Sequence, residues 1–155
     1  MSAPPFDLPK AHRWFAVEFN NRAWELIEKD GRSADETQEM LHTAHAAALH
    51  WKAIGTPLNE QRAENLLATA YLQAGRAEPA LRHAQRCLAL SEQNAAAGTE
   101  TPFDRATALG CAAHAHRLAG DVNEAERLME LATAAAGKLE PDDRTVFDNL
   151  YGPLT

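Results

Sequence analysis

The stretch TPLNEQRAENLLATAYLQAGRAEPALRHAQRCL, residues 56–88, decides the fold. Thr56 followed by Pro57 is a helix start with a mechanism. The hydroxyl accepts a backbone amide that the first turn leaves without a partner, and the proline ring has no amide to leave unpaired. Ala63, Leu67, Ala70 and Ala74 then recur at steps of four, three and four, which stripes one face of a helix. Gly75 follows, and glycine ends helices because it reaches the left-handed conformation without steric cost. Beyond it, Ala80, Ala84, Cys87 and Leu88 stripe a second helix. No run of alternating β-branched residues competes with this reading, so the chain is expected to be all-helical.

The same punctuation recurs along the chain. The segments DGRSADE (30–36), AGRAEPA (74–80) and AGDVNEA (119–125) set Gly31, Gly75 and Gly120 at intervals of 44 and 45 residues. Thr56-Pro57 and Thr101-Pro102 lie 45 residues apart. In the first unit Trp14, Val17, Trp24 and Ile27 are matched by Leu41, Ala44, Ala48 and Trp51. In the third, Leu109, Ala112, Ala113 and Ala119 face Ala125, Leu128, Met129 and Ala132. Ser33 with Glu36, and Asp121 with Glu124, have the spacing of capping boxes. These signals predict helices near 8–30, 34–53, 57–74, 77–93, 102–119 and 122–136, forming units 8–53, 57–93 and 102–136 of one domain over 1–155. A last helix near 141–151 opens on Pro141-Asp142-Asp143, and its Val146, Phe147, Leu150 and Tyr151 are expected to cap the open side of the third pair. Residues 94–101 read as the loosest linker, and residues 1–6 as a frayed end.

Composition narrows the function classes. Of 155 residues, 15 are Lys or Arg and 22 are Asp or Glu, a formal net charge of −7 that argues against coating nucleic acid. No apolar run approaches the roughly 20 residues needed to cross a bilayer, and MSAPPFDLPK has neither the basic nor the apolar region of a secretory signal. Two cysteines, Cys87 and Cys111, are too few for a disulfide scaffold and suit a reducing cytoplasm.

Leu67, Ala68 and Tyr71 fall where the pattern W-x₂-L-G-x₂-Y has Leu, Gly and Tyr. Gly75 sits in the turn and Ala80 follows it, while Glu64, Ala84 and Glu92 stand in place of the pattern's Trp, Phe and Pro. The third unit keeps Ala113, Gly120, Ala125 and Ala132, with His116 at the Tyr position; the first keeps Gly31. On these residues the chain resembles the tetratricopeptide-repeat family, with a period of 44–45 where the family has 34. More narrowly, the run from His50 to Leu88 is similar to a group of small bacterial helical-repeat proteins. The resemblance implies three antiparallel helix-turn-helix hairpins stacked as a short right-handed superhelix, and no reaction. It also implies that the first helix of each pair lines the concave, partner-binding face. By register that face holds Asn21 and Glu25 in the first unit, Arg62, Asn65 and Thr69 in the second, and His114 in the third. Arg62 stands out because its guanidinium can grip a partner's carboxylate with two parallel hydrogen bonds.

His42 and His45 lie about 60° apart around one helix, and Glu39-x-x-His42 matches the Glu-x-x-His unit of di-iron bundles. Such sites need two of those units, and the chain has one, so Glu39, His42 and His45 are weak metal candidates. His83 and Cys87 are four apart on one helix and could meet, but Cys87 occupies a small packing position where a buried, inert thiol is expected. Trp14, Trp24 and Trp51 could anchor an interface, although their stripe-like spacing favours the core. No nucleophile elbow, phosphate loop or dinucleotide fingerprint is present. The expectation is a cytoplasmic, non-enzymatic scaffold without cofactors. It would bind a protein or peptide partner, or itself, through the first-helix face, with no nucleic acid or membrane partner. The alternative is a small-molecule or metal-binding bundle using Glu39, His42 and His45.

Overall fold

Hydroxyl and carboxyl caps open most of the helices. In a computed structural model describing residues 2–154, these are α1 (Leu8–Glu28), α2 (Ala34–Ile54), α3 (Pro57–Gln73), α4 (Ala77–Ala96), α5 (Pro102–Leu118), α6 (Val122–Ala136) and α7 (Pro141–Tyr151). Thr56 and Asn59 exchange side chain-to-amide bonds across the first turn of α3, and Thr101 and Asp104 do the same at α5. The expected box of Ser33 with Glu36 is present. At α6 only half of one forms, Asp121 accepting from the Glu124 amide. Asp7 caps α1 at its expected start, its side chain accepting from the Lys10 amide at 3.0 Å. Helix α3 ends where Gly75, at φ 67°, lets the Arg76 amide reach back to the Tyr71 carbonyl at 3.0 Å. Gly120, at φ 88°, does the same for Asp121 and His116.

Helix α4 runs three residues past its expected end. The Asn94 side chain is buried and donates to the Pro57 carbonyl at 3.2 Å and to Gln61 Oε1 at 2.8 Å, which holds the last turn onto α3. The linker is therefore residues 97–101. Of the stretch expected to fray, Met1 lies outside the described residues, and residues 2–6 are exposed and non-helical.

The described residues contain no strand. Successive helices pack as α1 with α2, α3 with α4 and α5 with α6. The second member of each pair meets the first of the next, and α1, α3 and α5 also touch in succession. Two apolar clusters result. One, from α1, α2 and α3, includes Ala23, Leu26, Met40, Ala44, Ala47, Leu66 and Ala70. The other joins Ala68, Ala80 and Ala84 to Ala112, Leu128, Ala132, Phe147 and Tyr151. Tyr71 and Leu150 border both. The many fully buried alanines bring helix backbones close, so dispersion contacts run along whole helices.

Two first-unit residues depart from the expected core. Trp14 is 59% exposed and Val17 is 40% exposed. At about 100° per residue, Ala16 and Ala23 lie about 200° and 180° from Trp14, so the buried face of α1 is opposite the one its bulkiest residue suggests. Trp24 and Trp51 are partly buried against the first cluster.

Helix α7 docks on α5 at Gly110. A β-carbon there would stand 2.8 Å from Tyr151 Cβ and 2.9 Å from Phe147 Cε2, so the helix can approach only because that position has no side chain. Gly110→Ala is therefore expected to lower stability by about 1–3 kcal/mol despite its better helix propensity. Gly137→Ala meets its nearest atoms at an ordinary 3.5 Å and should change stability by less than about 1 kcal/mol. Denaturant midpoints of the two variants check this, and a stabilised Gly110→Ala contradicts the docking.

Candidate functional site

Between α1, α3, α5 and α7 lies a cavity of about 320 Å³. Helix α1 contributes Asn20, Trp24 and Glu28, α3 contributes Gln61, Arg62 and Asn65, and α5 contributes Phe103, Asp104 and Thr107. Val146 and Leu150 of α7 close one side. Trp24, Phe103, Val146 and Leu150 give the walls much of their apolar area, and polar side chains are interleaved among them.

One exposed polar group among them, Arg62, is already committed. Arg62 Nε donates to Asp104 Oδ1 at 2.8 Å and Nη2 to Oδ2 at 3.0 Å, the two-pronged grip expected of it, but on a carboxylate of its own chain. The Asp104 side chain is only 6% exposed. Burial pushes its carboxyl pKa up, but the bonds from Arg62 and Thr101 outweigh that and hold it below the usual range. Asp104 thus serves twice, as the N-terminal cap partner of α5 and as the anchor of Arg62 on α3.

Deeper, a chain of hydroxyls joins α3 to α7. Thr69 Oγ1 bonds the Asn65 carbonyl at 2.7 Å, Tyr151 Oη stands 2.6 Å from Thr69 Oγ1, and Asn65 Nδ2 lies 3.1 Å from Tyr151 Oη. A carbonyl can only accept, so the Thr69 hydroxyl donates to it and must accept from Tyr151. The phenol oxygen then accepts from the Asn65 amide. Burial pushes the Tyr151 pKa well up, so the phenol keeps the proton that this chain needs. Asn65 is 9% exposed, and its Oδ1, turned away from the phenol, has no donor. Such an orphaned acceptor costs about 1–3 kcal/mol, and it belongs to a side chain lining the cavity.

The six residues expected on a binding face separate accordingly. Arg62 and Asn65 line the cavity. Thr69 does not: it is 1% exposed, closed over by Tyr151, and borders a second hollow of about 250 Å³ with His114 and Arg117. His114 Nε2 bonds the Gly152 carbonyl at 2.9 Å and so fastens the end of α7. Asn21 and Glu25 are exposed on the side of α1 that carries Trp14, and Glu25 pairs with Arg22 at 3.3 Å. Asn20, Trp24 and Glu28 face the cavity in their stead, a register one residue back, or three residues on for Glu28, around the helix. Sequence reasoning missed Asp104, whose position one period after Asn59 marks it as a capping residue and conceals its second bond. It also missed Phe103 and Val146.

The metal candidates do not converge. Glu39 accepts from Arg22 at 2.7 Å, His42 is exposed, and His45 Nε2 is 2.8 Å from the Tyr71 hydroxyl. Among the described residues, no group of three His, Cys, Asp or Glu side chains is placed to hold a metal ion. His83 turns from Cys87 to Glu64, Nδ1 to Oε2 at 2.6 Å, and stacks on Tyr71. The Cys87 thiol is fully buried against the Gln61 carbonyl and its pKa is pushed well up by burial, while burial pushes Cys111 up to about 12. Neither is a ready nucleophile.

Comparison with protein-family models, with curated proteins and with solved structures gave no match. No helix among the described residues is long and apolar enough to cross a membrane.

Arg62→Ala strands a buried carboxylate. Because Arg62 is half exposed and water can partly replace it, the expected loss is about 1 kcal/mol at neutral pH. Asp104 contributes stability above its unfolded pKa of about 3.9 that is lost as pH falls through its lower folded value. The gap between wild type and Arg62→Ala in urea midpoint should therefore close in acid; a gap constant with pH contradicts the assignment.

The histidines act in a different window. Burial and His83 lower the pKa of His45, and burial and His12, whose Nδ1 is 2.8 Å from that of His50, lower the pKa of His50. The unfolded imidazoles take up protons near pH 6.5, the folded ones only at lower pH, so stability is complete above about 6.5 and declines on acidification below it. Replacing both by glutamine should flatten urea midpoints between about pH 7.5 and 5.5; an undiminished slope in that variant contradicts the pairings.

Proposed function

We propose that the chain is a tetratricopeptide-like binding module that holds an extended peptide segment of a protein partner. In this reading the pairs α1–α2, α3–α4 and α5–α6 are three hairpins of a short right-handed superhelix, with α7 as its cap. Helices α1, α3 and α5 form the concave face. The observation that carries the reading is the cavity between those three helices. It is apolar-walled, rimmed by Arg62, and sized for one side chain with its neighbouring backbone. The repeat of Thr-Pro starts and glycine ends at 44–45 residues supports the hairpin arrangement. A scaffold of this kind works by shape and polar complementarity, with no covalent step. The free thiols Cys87 and Cys111 suit a reducing compartment, which favours the cytoplasm. Self-association is a second reading, favoured by the exposed aromatic pair of Trp14 and Phe15, whose rings meet edge to face at 4.9 Å.

Selection from a random peptide-display library tests the first reading. Val146 is 42% exposed at the side of the cavity, so Val146→Trp should obstruct it without disturbing the core. Enriched peptides are expected to bind Val146→Trp at least about tenfold more weakly than wild type, a loss of about 1.4 kcal/mol. They should bind Leu49→Trp, on α2 at a 69% exposed position outside the cavity, as wild type does. Failure to enrich any peptide, or equal binding to both variants, refutes the assignment.

A further inference from the structure

We infer that His12 and His50 are half of a zinc site whose other half is the same pair on a second copy of this chain. The inference rests on the self-association reading and adds the ion that drives it; the cavity plays no part. His12, in the second turn of α1, meets His50, near the end of α2, with Nδ1 to Nδ1 at 2.8 Å and ring centroids 5.0 Å apart. Two imidazole nitrogens that close cannot both aim lone pairs at each other, so one proton lies between them. A divalent cation can take the place of that proton and receive both lone pairs. Nitrogens bound at about 2.0–2.1 Å stand about 3.3 Å apart around a tetrahedral ion, so the two rings need only turn and part by about 0.5 Å. Imidazole suits zinc, copper and nickel, whereas magnesium and calcium prefer oxygen ligands. Phe15 and Phe19 stack on the His50 ring, with centroids at 5.3 and 5.9 Å, and hold it in place. Burial and His12 push the His50 pKa down, which keeps a lone pair ready for a cation.

One copy is not enough. Among the described residues no third His, Cys, Asp or Glu joins the pair, and a closed zinc site needs four ligands. The surface around the pair favours a second copy as their source. Exposed Leu8 lies one turn before His12, exposed Phe15 touches His50, and exposed Trp14 meets Phe15 edge to face. Helix α7 covers α5, whereas α1 and α2 pack mainly on each other and on α3, which leaves this end of the molecule apolar and uncovered. A stacked array needs a polar outer face at its ends or something laid over them. A two-fold axis through the ion sets each patch on its own copy and completes four imidazoles. Two chains of net charge −7 repel each other, so the contact depends on the shared dication.

Sedimentation velocity on the full chain, stripped with EDTA and titrated with zinc chloride at about pH 7.5, tests this. Zinc is expected to lower the dimer dissociation constant at least about tenfold, with one ion per two chains by calorimetry. EDTA should reverse the change, and magnesium should not cause it. His12→Gln and His50→Gln should each abolish the zinc response. Imidazole NMR on the unaltered chain keeps the test independent of how the variants fold: zinc should shift the His12 and His50 signals and leave His114 in place. A dimer present without zinc and in both variants overturns the metal site and spares self-association. A monomer at saturating zinc overturns both. Binding of one zinc per chain without dimerisation, or shifts at other histidines alone, overturns the shared site.

Discussion

A phenol buried at the end of an 11-residue helix needs hydrogen-bond partners, and Tyr151 finds them in Asn65 and Thr69 of α3. Much else in the chain is arranged around that requirement. Gly110 keeps α5 flat enough for Tyr151 and Phe147 to pass over it, Thr69 is given up to the phenol, and His114 fastens the carbonyl of Gly152 just beyond. Once α7 is fixed this way, Leu150 and Tyr151 divide the space beside α3 and α5 into two hollows. The larger is the cavity whose other wall is α1. The same chain of bonds turns Asn65 Oδ1 away from its partners. Helix docking and the unfilled acceptor therefore have one origin.

Small residues bring the helices together around a few large buried ones such as Met40, Leu66, Phe147 and Tyr151. Alanine lines most helix contacts with no exposure at all, so the backbones lie close and the seam has little tolerance for added volume. The tryptophans sit at the margins: Trp14 in solvent, Trp24 at the cavity, Trp51 half-buried. Polar side chains inside the molecule are used in pairs across helices. Arg62 with Asp104 spans α3 and α5, and Asn94 with Gln61 spans α4 and α3. Both fix the angle between neighbouring helices more than apolar contact alone can, because a hydrogen bond has a direction and hydrophobic burial does not.

Punctuation was the legible part of the fold. Thr-Pro, Ser-x-x-Glu and Gly act within a few residues of themselves, so the helix starts and the range of α7 could be read directly. The face of α1 could not. Its apolar residues lie on both sides, and which side is buried depends on the alanines of α2, far away in sequence. Reading bulk in place of smallness put Trp14 inside, and the register taken from the repeat resemblance put Asn21 and Glu25 where Asn20 and Trp24 face the cavity. At Arg62 the chemistry was legible and the partner was not: a guanidinium poised for a carboxylate met one 42 residues further along its own chain.

What the order of residues determined by itself is therefore the helices, their lengths to within a few residues, and the period at which they recur. These follow from caps, propensities and striping that act over one or two turns. The tertiary structure alone decided which polar groups satisfy one another and which is left over. Asp104 neutralises Arg62, Tyr151 consumes Thr69, and one oxygen of Asn65 goes without. Such matching depends on distances between helices, and those distances are set by how closely the alanine seams and Gly110 allow the backbones to come together.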